Sequence, residues 1–401
     1  MTQTETAILE VQKLFKEKFG YTPTHTVKAP GRLELLGNHT DYNEGLVMSL
    51  AVDKYIFITA SPRTDGKIEL VSTAFPERET FSISELKKNP HTPWADYVKG
   101  VLDQLRRHDV YFGGFNAAIH GTVPMGAGMS SSAALEVATA MIARKLFPFI
   151  LTETASRKPA RDQENAPVSR DEKLQLAKLC QRAENQFVGV QCGILDQISS
   201  LFGKSFHAIE IDCQSLSVEH VPMIGEIAIV ICNSGVKHSL VGGEYNELRQ
   251  MCESAAEKIG VKALRAVDLP MLKRNREKLT EREYQCAYHV VGEIQRVIAG
   301  AVALRSNDFE QFGQFMFQSH ESSRDFFKNS TRELDILVDL ARKHPAALGA
   351  RLTGGGFGGA TINLIRRDGI ESFSQYMAEE YRKITGIEMR PLLCQIVDGA
   401  A

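Results

Sequence analysis

Pro124-Met-Gly-Ala-Gly-Met-Ser-Ser-Ser-Ala134 constrains this chain more than any other stretch. A glycine turn runs into three consecutive hydroxyls, and a helix-forming run, Ala133 to Phe147, follows at once. Glycines let a backbone curl around a ligand with its N–H groups pointing inward, and a helix N-terminus adds partial positive charge. Phosphate is the natural occupant of such a cradle. The serines can cap the helix, bond phosphate oxygens or ligate magnesium. On these residues alone, a Gly/Ser loop that merely caps a helix is an open alternative.

The rest of the chain sets bounds. Its 401 residues suggest two domains, or three, and 43% hydrophobic residues suffice for sizeable cores. The net charge is -2 with acids and bases mixed throughout, so no basic block points to nucleic acid or a membrane surface. Phosphate chemistry must then rely on local groups. Seven cysteines lie far apart with no CxxC pair, which fits reduced thiols in a cytoplasmic protein. Ile8, Val11, Leu14, Phe15 and Phe19 recur at helical spacing and predict an amphipathic first helix, not a signal peptide. No apolar run is long enough to cross a bilayer, and no obligate protein partner is expected.

Thr26–Lys28 and Leu46–Ala60 read as strands around a loop rich in His, Asp and Asn. Ile68–Thr73 and Glu79–Ile83 suggest a hairpin, Trp94–Arg107 a helix, and Gly114–His120 a strand leading into the glycine loop. Residues 148–170 are polar with three prolines and predict a long surface excursion. Leu174–Phe187 predicts a helix ended by Gly189; Ala208–Asp212 and Glu226–Asn233 predict strands. Helical patterns dominate from Glu244 to about Arg342, and Ala350–Ile365 places a glycine turn before another strand. The irregular alternation predicts an α+β fold of two domains, 1–205 and 206–401.

Several segments carry chemistry. Gly203-Lys204-Ser205 is a decoy, because a Walker loop needs glycine where this chain has Ile198; it reads as a turn. No GxGxxG follows an early strand, which leaves a nicotinamide site without support. Arg32, His39 and Asp41 lie between glycine turns, a setting that suits a hydroxyl-rich ligand; a capped turn is the alternative. Asp196 follows a glycine turn in Cys192-Gly-Ile-Leu-Asp-Gln197, where a carboxylate beside an arginine stays ionised and takes a proton; alone it also reads as a helix cap. Glu184, twelve residues earlier, alone is an exposed helix acid. Thr353-Gly-Gly-Gly-Phe-Gly-Gly359 brings backbone close to a ligand or forms a tight hairpin.

Together these segments resemble the GHMP small-molecule kinases, in their galactose-phosphorylating branch, from about Val27 to Leu364. The resemblance rests on the segment around Arg32–Asn43, the loop 124–134, Ala183-Glu184, Cys192–Gln197, Asn233–Leu240 with Glu244-Tyr245-Asn246, and Leu352–Asn363, all in order. It implies the two-domain GHMP fold with its active site in the interdomain cleft. It also implies ATP- and Mg2+-dependent phosphorylation of the anomeric hydroxyl of a sugar, galactose first. Asp196 would accept the anomeric proton, while Arg32 would hold it as carboxylate and stabilise the transferring group. Ser132 and Glu184 would position magnesium. The loop Pro124, Gly126, Ala127, Gly128, Met129, Ser130, Ser131 and Ser132 would wrap the phosphates. Trp94 and Tyr97 would lie near the adenine. Asn38, His39, Thr40, Asp41, Gly193 and Tyr245 would face the sugar.

Two positions depart from the family pattern: Glu34 stands where asparagine is usual, and Asn38 where glutamate is usual. An amide in place of a carboxylate weakens a hydrogen bond to a sugar hydroxyl. Glu34, two positions from Arg32, shares its strand face and is expected either to restrain that arginine or to compete with Asp196 for it. Asn185 stands where histidine is common. A related kinase of another sugar (an N-acetylhexosamine, an arabinose or a uronic acid) and a non-catalytic sugar sensor are the alternatives.

Overall fold

The computed structural model describes residues 2–124, 126, 128–153, 156–158, 167–237 and 241–401. Helix α1 (Gln3–Phe19) begins where Thr2 accepts from the Glu5 N–H and Glu5 accepts from the Thr2 N–H. This reciprocal cap satisfies donors that every helix start leaves free. Ala7, Val11 and Phe15 recur every fourth residue and form its buried stripe, which packs on Tyr55, Phe57 and Ala118.

Those three residues belong to the first sheet. Its early strands are β1 (His25–Leu36), β2 (Leu46–Arg63), β3 (Lys67–Ser72) and β4 (Glu79–Ser82); helix α2 (Ala95–Arg107) leads to β5 (Gly114–Gly121). Lys99 of α2 is 1% exposed and bonds Glu79 of β4 at 2.6 Å, with Asp96 at 3.4 Å. Helix α3 (Ser131–Leu146) follows, buried at every residue from Ala133 to Arg144. A helix buried on all sides is a core element; α3 packs on β1, β2 and α2. The short strands β6 (Ile150–Leu151) and β7 (Ser156–Arg157), helix α4 (Arg170–Arg182), helix α5 (Leu195–Phe202), and strands β8 (His207–Asp212) and β9 (Ser217–Pro222) come next. The sheet runs β4-β3-β5-β2-β8-β9 with β1 also on β2, antiparallel at every pair but β3–β5.

The second half contributes β10 (Ile227–Lys237), α6 (Val241–Ile259), α7 (Leu269–Arg274), α8 (Glu281–Arg305), α9 (Phe309–Ser322), α10 (Arg332–Lys343), β11 (Ala347–Thr353), β12 (Gly358–Arg366), α11 (Ile370–Thr385) and β13 (Leu392–Cys394). Its antiparallel sheet is ordered β11-β12-β10-β13. Leu337, Phe373, Met377 and Tyr381 of α10 and α11 pack on Val230, Ala350 and Ile365 of that sheet. Helix α8 reaches β1, β2 and β9 of the first sheet as well as α6 and α9, and so joins the halves.

The α+β, two-domain arrangement expected from the sequence stands, but the boundary at 205 does not. Leu46–Ser49 of β2 pairs with Ile209–Asp212, so β8 and β9 extend the first sheet to Pro222. An alternating strand pattern shows that a strand exists without showing which sheet it joins. The last residues cross back too: Val397 N–H donates to Ala51 O, and Ala401 pairs with Lys28. The excursion at 148–170 is partly corrected. Phe149 and Leu151 are buried beside the Arg144–Glu172 ion pair, while 154–155 and 159–166 lie outside the described residues. Gly203-Lys204-Ser205 lies between α5 and β8. All seven cysteines are free. Among the described residues no helix is long and apolar enough to cross a membrane.

Candidate active site

Strand β1 is interrupted by register shifts at Pro30/Gly31 and at Glu34/Leu36. Between them the strand carries two charged residues that are almost fully buried, Arg32 and Glu34. Such burial demands partners. Arg32 Nε donates to Asp196 Oδ1 at 2.7 Å, and Nη1 donates to the Gly128 carbonyl. Ser130 Oγ donates to the other oxygen of Asp196. Burial disfavours the Arg32 cation, but Asp196 and Glu34 beside it outweigh this and raise its pKa. Arginine near the start of the chain and aspartate midway along it thus meet at the loop that precedes α3.

That loop lies directly on β1. A Cβ on Gly31 would approach the Met129 carbonyl to 2.7 Å, and one on Gly128 would approach the Thr353 carbonyl to 2.7 Å. Glycine is needed at both contacts. Gly126, Gly128 and Ser130 all have positive φ, a pattern that turns successive N–H groups toward one concave side. Ser131 and Ser132 open α3. The Met129 side chain is 1% exposed in the core and its carbonyl accepts from Arg32 N–H. Ala127 lies outside the described residues, and Pro124 is half-buried beside the loop.

Glu184 sits in a π-helical turn, Ala183–Val188, that continues α4. Extra-residue turns of this kind re-aim a side chain. Its carboxylate accepts from Gln197 Nε2 at 3.0 Å and Cys192 Sγ at 3.3 Å, and the Ser132 hydroxyl lies close to it. Burial, then the nearby Asp196, push its pKa up to about 7. Gln197 Nε2 also donates to Glu136, fully buried in α3, at 3.0 Å. Tyr97 of α2 lies near Glu184 and Glu136; burial, then these acids, push it up to about 12. Trp94, just before α2, stacks on Phe75 with ring centroids 5.7 Å apart. Neither aromatic lines the main cavity.

That cavity holds about 470 Å³, with Arg32, Glu34, Asn38, His39, Asp41, Glu184, Gly193, Asp196, Tyr245 and Gly354 among its walls. A tight turn after β1 supplies much of it. Gly37 and His39 have positive φ, and Glu293 of α8 accepts from the N–H groups of Gly37 at 3.0 Å and Asn38 at 2.9 Å. Burial opposes the charge on Glu293, but Arg296 outweighs it and holds its pKa down at about 2. His39 is neutral: burial lowers its pKa to about 4. Its Nε2 lies 3.0 Å from the Gly355 carbonyl and its Nδ1 2.8 Å from the Tyr42 hydroxyl. A carbonyl can only accept, so the proton is on Nε2. Tyr245 packs against the ring at 4.9 Å. Asp41 bonds Tyr42 N–H at 2.9 Å and lies over Gly193. Burial, then Glu34 and Asp196, push it up to about 7.

Three expectations are corrected here. Thr40 does not face the cavity; its hydroxyl, fully buried, lies 2.8 Å from Gly37 O and 2.6 Å from Leu46 O. Asn38 lines the wall, but its amide is engaged inside: Nδ2 with Glu34 and Gly354 O, Oδ1 with Asn329. Glu34 shares the cavity face with Arg32 without bonding it; Arg351 Nη1, 3.1 Å away, takes that carboxylate. Arg351, Glu293 and Asn329 carry no sequence signal, because each lies in a helix, strand or turn hundreds of residues from the groups it holds.

Comparison with known proteins agrees with this geometry. The galactokinase galactose-binding signature matches residues 13–62, the N-terminal domain of GHMP kinases residues 96–204, and their C-terminal domain residues 301–383. The galactokinase of Chloroflexus aurantiacus is 38% identical over 392 residues, covering 96% of this chain and 95% of the relative. That of Homo sapiens is 39% identical over 401 residues, covering 98% and 96%. The structure of Lactococcus lactis galactokinase complexed with galactose superposes with a TM-score of 0.89 at 30% identity, covering 98% of this chain and 99% of that one. A mevalonate kinase from Methanococcus jannaschii, 18% identical with a TM-score of 0.60 over 93% and 98% of the two chains, shares the fold alone. The signature spans β1 and the turn that carries His39 and Asp41, and the likeness continues through both sheets; the chain belongs to the galactokinase family of the GHMP kinases.

Proposed function

We propose that this protein transfers the γ-phosphoryl group of ATP to the anomeric hydroxyl of galactose, giving galactose 1-phosphate and ADP. The observation that carries the reading is the Arg32–Asp196 pair, set in the cavity wall at the loop before α3. Phosphoryl transfer asks mainly for positioning and charge neutralisation. Asp196, with its two oxygens held by Arg32 and Ser130, accepts the proton of the anomeric hydroxyl. Arg32 remains cationic and stabilises negative charge on the group in transit. The positive-φ loop and the N-terminus of α3 cradle the phosphates. Asp41, His39 and Tyr245 bind the sugar, and Trp94 and Tyr97 border the nucleotide base.

Ser132 and Glu184 fit a magnesium ion. Among the described residues no group of three acids, histidines or cysteines forms a metal cage. Magnesium typically takes one or two protein oxygens and completes its shell with phosphates and water. One hydroxyl beside one carboxylate is such a donor set. Bound there, the ion neutralises phosphate charge. A cytoplasmic location, where ATP is supplied, belongs to the same reading.

The test is Asp196→Asn. It should bind ATP normally and lose turnover of galactose by roughly 10²–10⁴-fold, the usual contribution of a positioned base. Near-normal turnover removes Asp196 from that role. ADP release against a panel of sugars checks the substrate; a clear preference for another sugar overturns galactose.

A further inference from the structure

The cavity wall between Arg32 and Gly354 contains one acceptor that the protein leaves open. Glu34 Oε1 accepts from Arg351 Nη1 and from Asn38 Nδ2, both at 3.1 Å. Its Oε2 accepts no hydrogen bond from any described residue, and Glu34 lines the cavity. Asp41 Oδ2, elsewhere on the cavity, is likewise free of hydrogen bonds from described residues, but Asn38 and His39 offer nothing comparable. The two hydrogens of Asn38 Nδ2 go to Glu34 and to Gly354 O at 2.8 Å, and Oδ1 takes Asn329 Nδ2 at 2.8 Å. Both ring nitrogens of His39 are engaged with Tyr42 and Gly355.

Arg351 makes the open oxygen rigid. It is fully buried, and Nη1 is directed at Glu34. Burial raises the pKa of Glu34, and Arg351 and then Arg32 offset this only in part, so the net shift is upward. A carboxylate oxygen fixed in this way has no freedom to turn away. It therefore calls for a donor from the ligand.

We propose that Glu34 is a specificity-determining residue, whose Oε2 accepts a hydrogen bond from one non-anomeric hydroxyl of the sugar, with Arg351 and Asn38 as its positioning residues. The pocket then favours a neutral sugar carrying that hydroxyl and rejects one with an anionic group in its place. This rests on the sugar-kinase reading above.

The experiment measures kcat/KM for galactose and for the four deoxygalactoses that each lack one non-anomeric hydroxyl, with the unaltered protein and with Glu34→Gln. Turnover of galactose by the unaltered protein is the control that tests the sugar-kinase reading itself. Replacing a charged acceptor by a neutral one should lower kcat/KM about tenfold for galactose and three of the analogues. The analogue lacking the contacted hydroxyl should lose less than about twofold. An equal loss across all five sugars overturns the proposal, because a merely structural carboxylate would affect every sugar alike. Should Glu34→Gln fail to fold, Glu34→Asp keeps the charge, withdraws the oxygen by one methylene, and is read by the same pattern.

Discussion

Gly193 is the place where one methyl group should separate sugar binding from every other property of this protein. A Cβ built there would lie 3.0 Å from Asp41 Cβ and in hard overlap with its Cγ and carboxylate. Its backbone is not in the left-handed region, so alanine brings no strain of its own. The methyl must displace the Asp41 carboxylate, which then gives up the 2.9 Å bond to Tyr42 N–H and its present place in the cavity. One hydrogen bond between a charged group and a ligand is worth about 1.5–3 kcal/mol. At 1.4 kcal/mol per factor of ten, Gly193→Ala should raise the galactose KM roughly 10- to 150-fold. The ATP KM should move by less than about twofold, because Asp41 makes no hydrogen bond to the described residues of the loop at α3. Stability should change little, since the displaced group is a side-chain end beside an open cavity. Steady-state kinetics with each substrate varied in turn, alongside a thermal melt, gives all three values. A galactose KM within twofold of the parent, with the melt unchanged, would refute Asp41 as a sugar contact.

Two further outcomes follow from buried charge. Asp41 has its pKa raised from 3.8 to about 7 on folding, so between those values the folded protein holds a proton that the unfolded chain has lost. Its contribution to stability should therefore fall as pH rises from about 4 to about 7, an effect tempered by solvent in the cavity. The stability difference between the parent and Asp41→Asn, followed by urea unfolding without ligands, should show that slope; a flat or rising difference rejects it. Lys99→Met leaves Glu79 and Asp96 buried without their cation and should cost about 3–5 kcal/mol in the same assay, whereas a loss below about 1 kcal/mol would mean that the pair is dispensable.

The sequence made some of this legible and concealed the rest for physical reasons. The first helix could be read from Ile8, Val11, Leu14, Phe15 and Phe19 because its periodicity is local. The loop into α3 was readable because glycine and serine mark a backbone path and a helix start. Strand β1 was foreseen only over Thr26–Lys28, yet it runs on to Leu36. Arg32 and Glu34 break the apolar alternation there, and only partners from elsewhere in the chain, Asp196 and Arg351, make two buried charges acceptable in a strand. The join at 205 failed because the partner of β8 is β2, more than 150 residues earlier. Glu34 and Arg32 do share a face, as their spacing requires. Their partners, Arg351 and Asp196, come from elsewhere, and nothing in a two-residue spacing can reveal that. Glu293 looks like any acid in a long helix until the turn at Gly37 and Asn38 is seen resting on it.

The bond between Glu34 and Arg351 spans 317 positions of the chain. The first half supplies Arg32, His39, Asp41 and Asp196, but the wall around Glu34 is complete only once the second half brings Arg351 and Gly354 to it. Ligand affinity is then a reporter of whether the two halves have docked. Opening of the seam between them should weaken sugar binding before either sheet melts. Hydrogen exchange at the Gly37 and Asn38 amides, slowed by ligand ahead of the sheet interiors, would be the signature of that coupling.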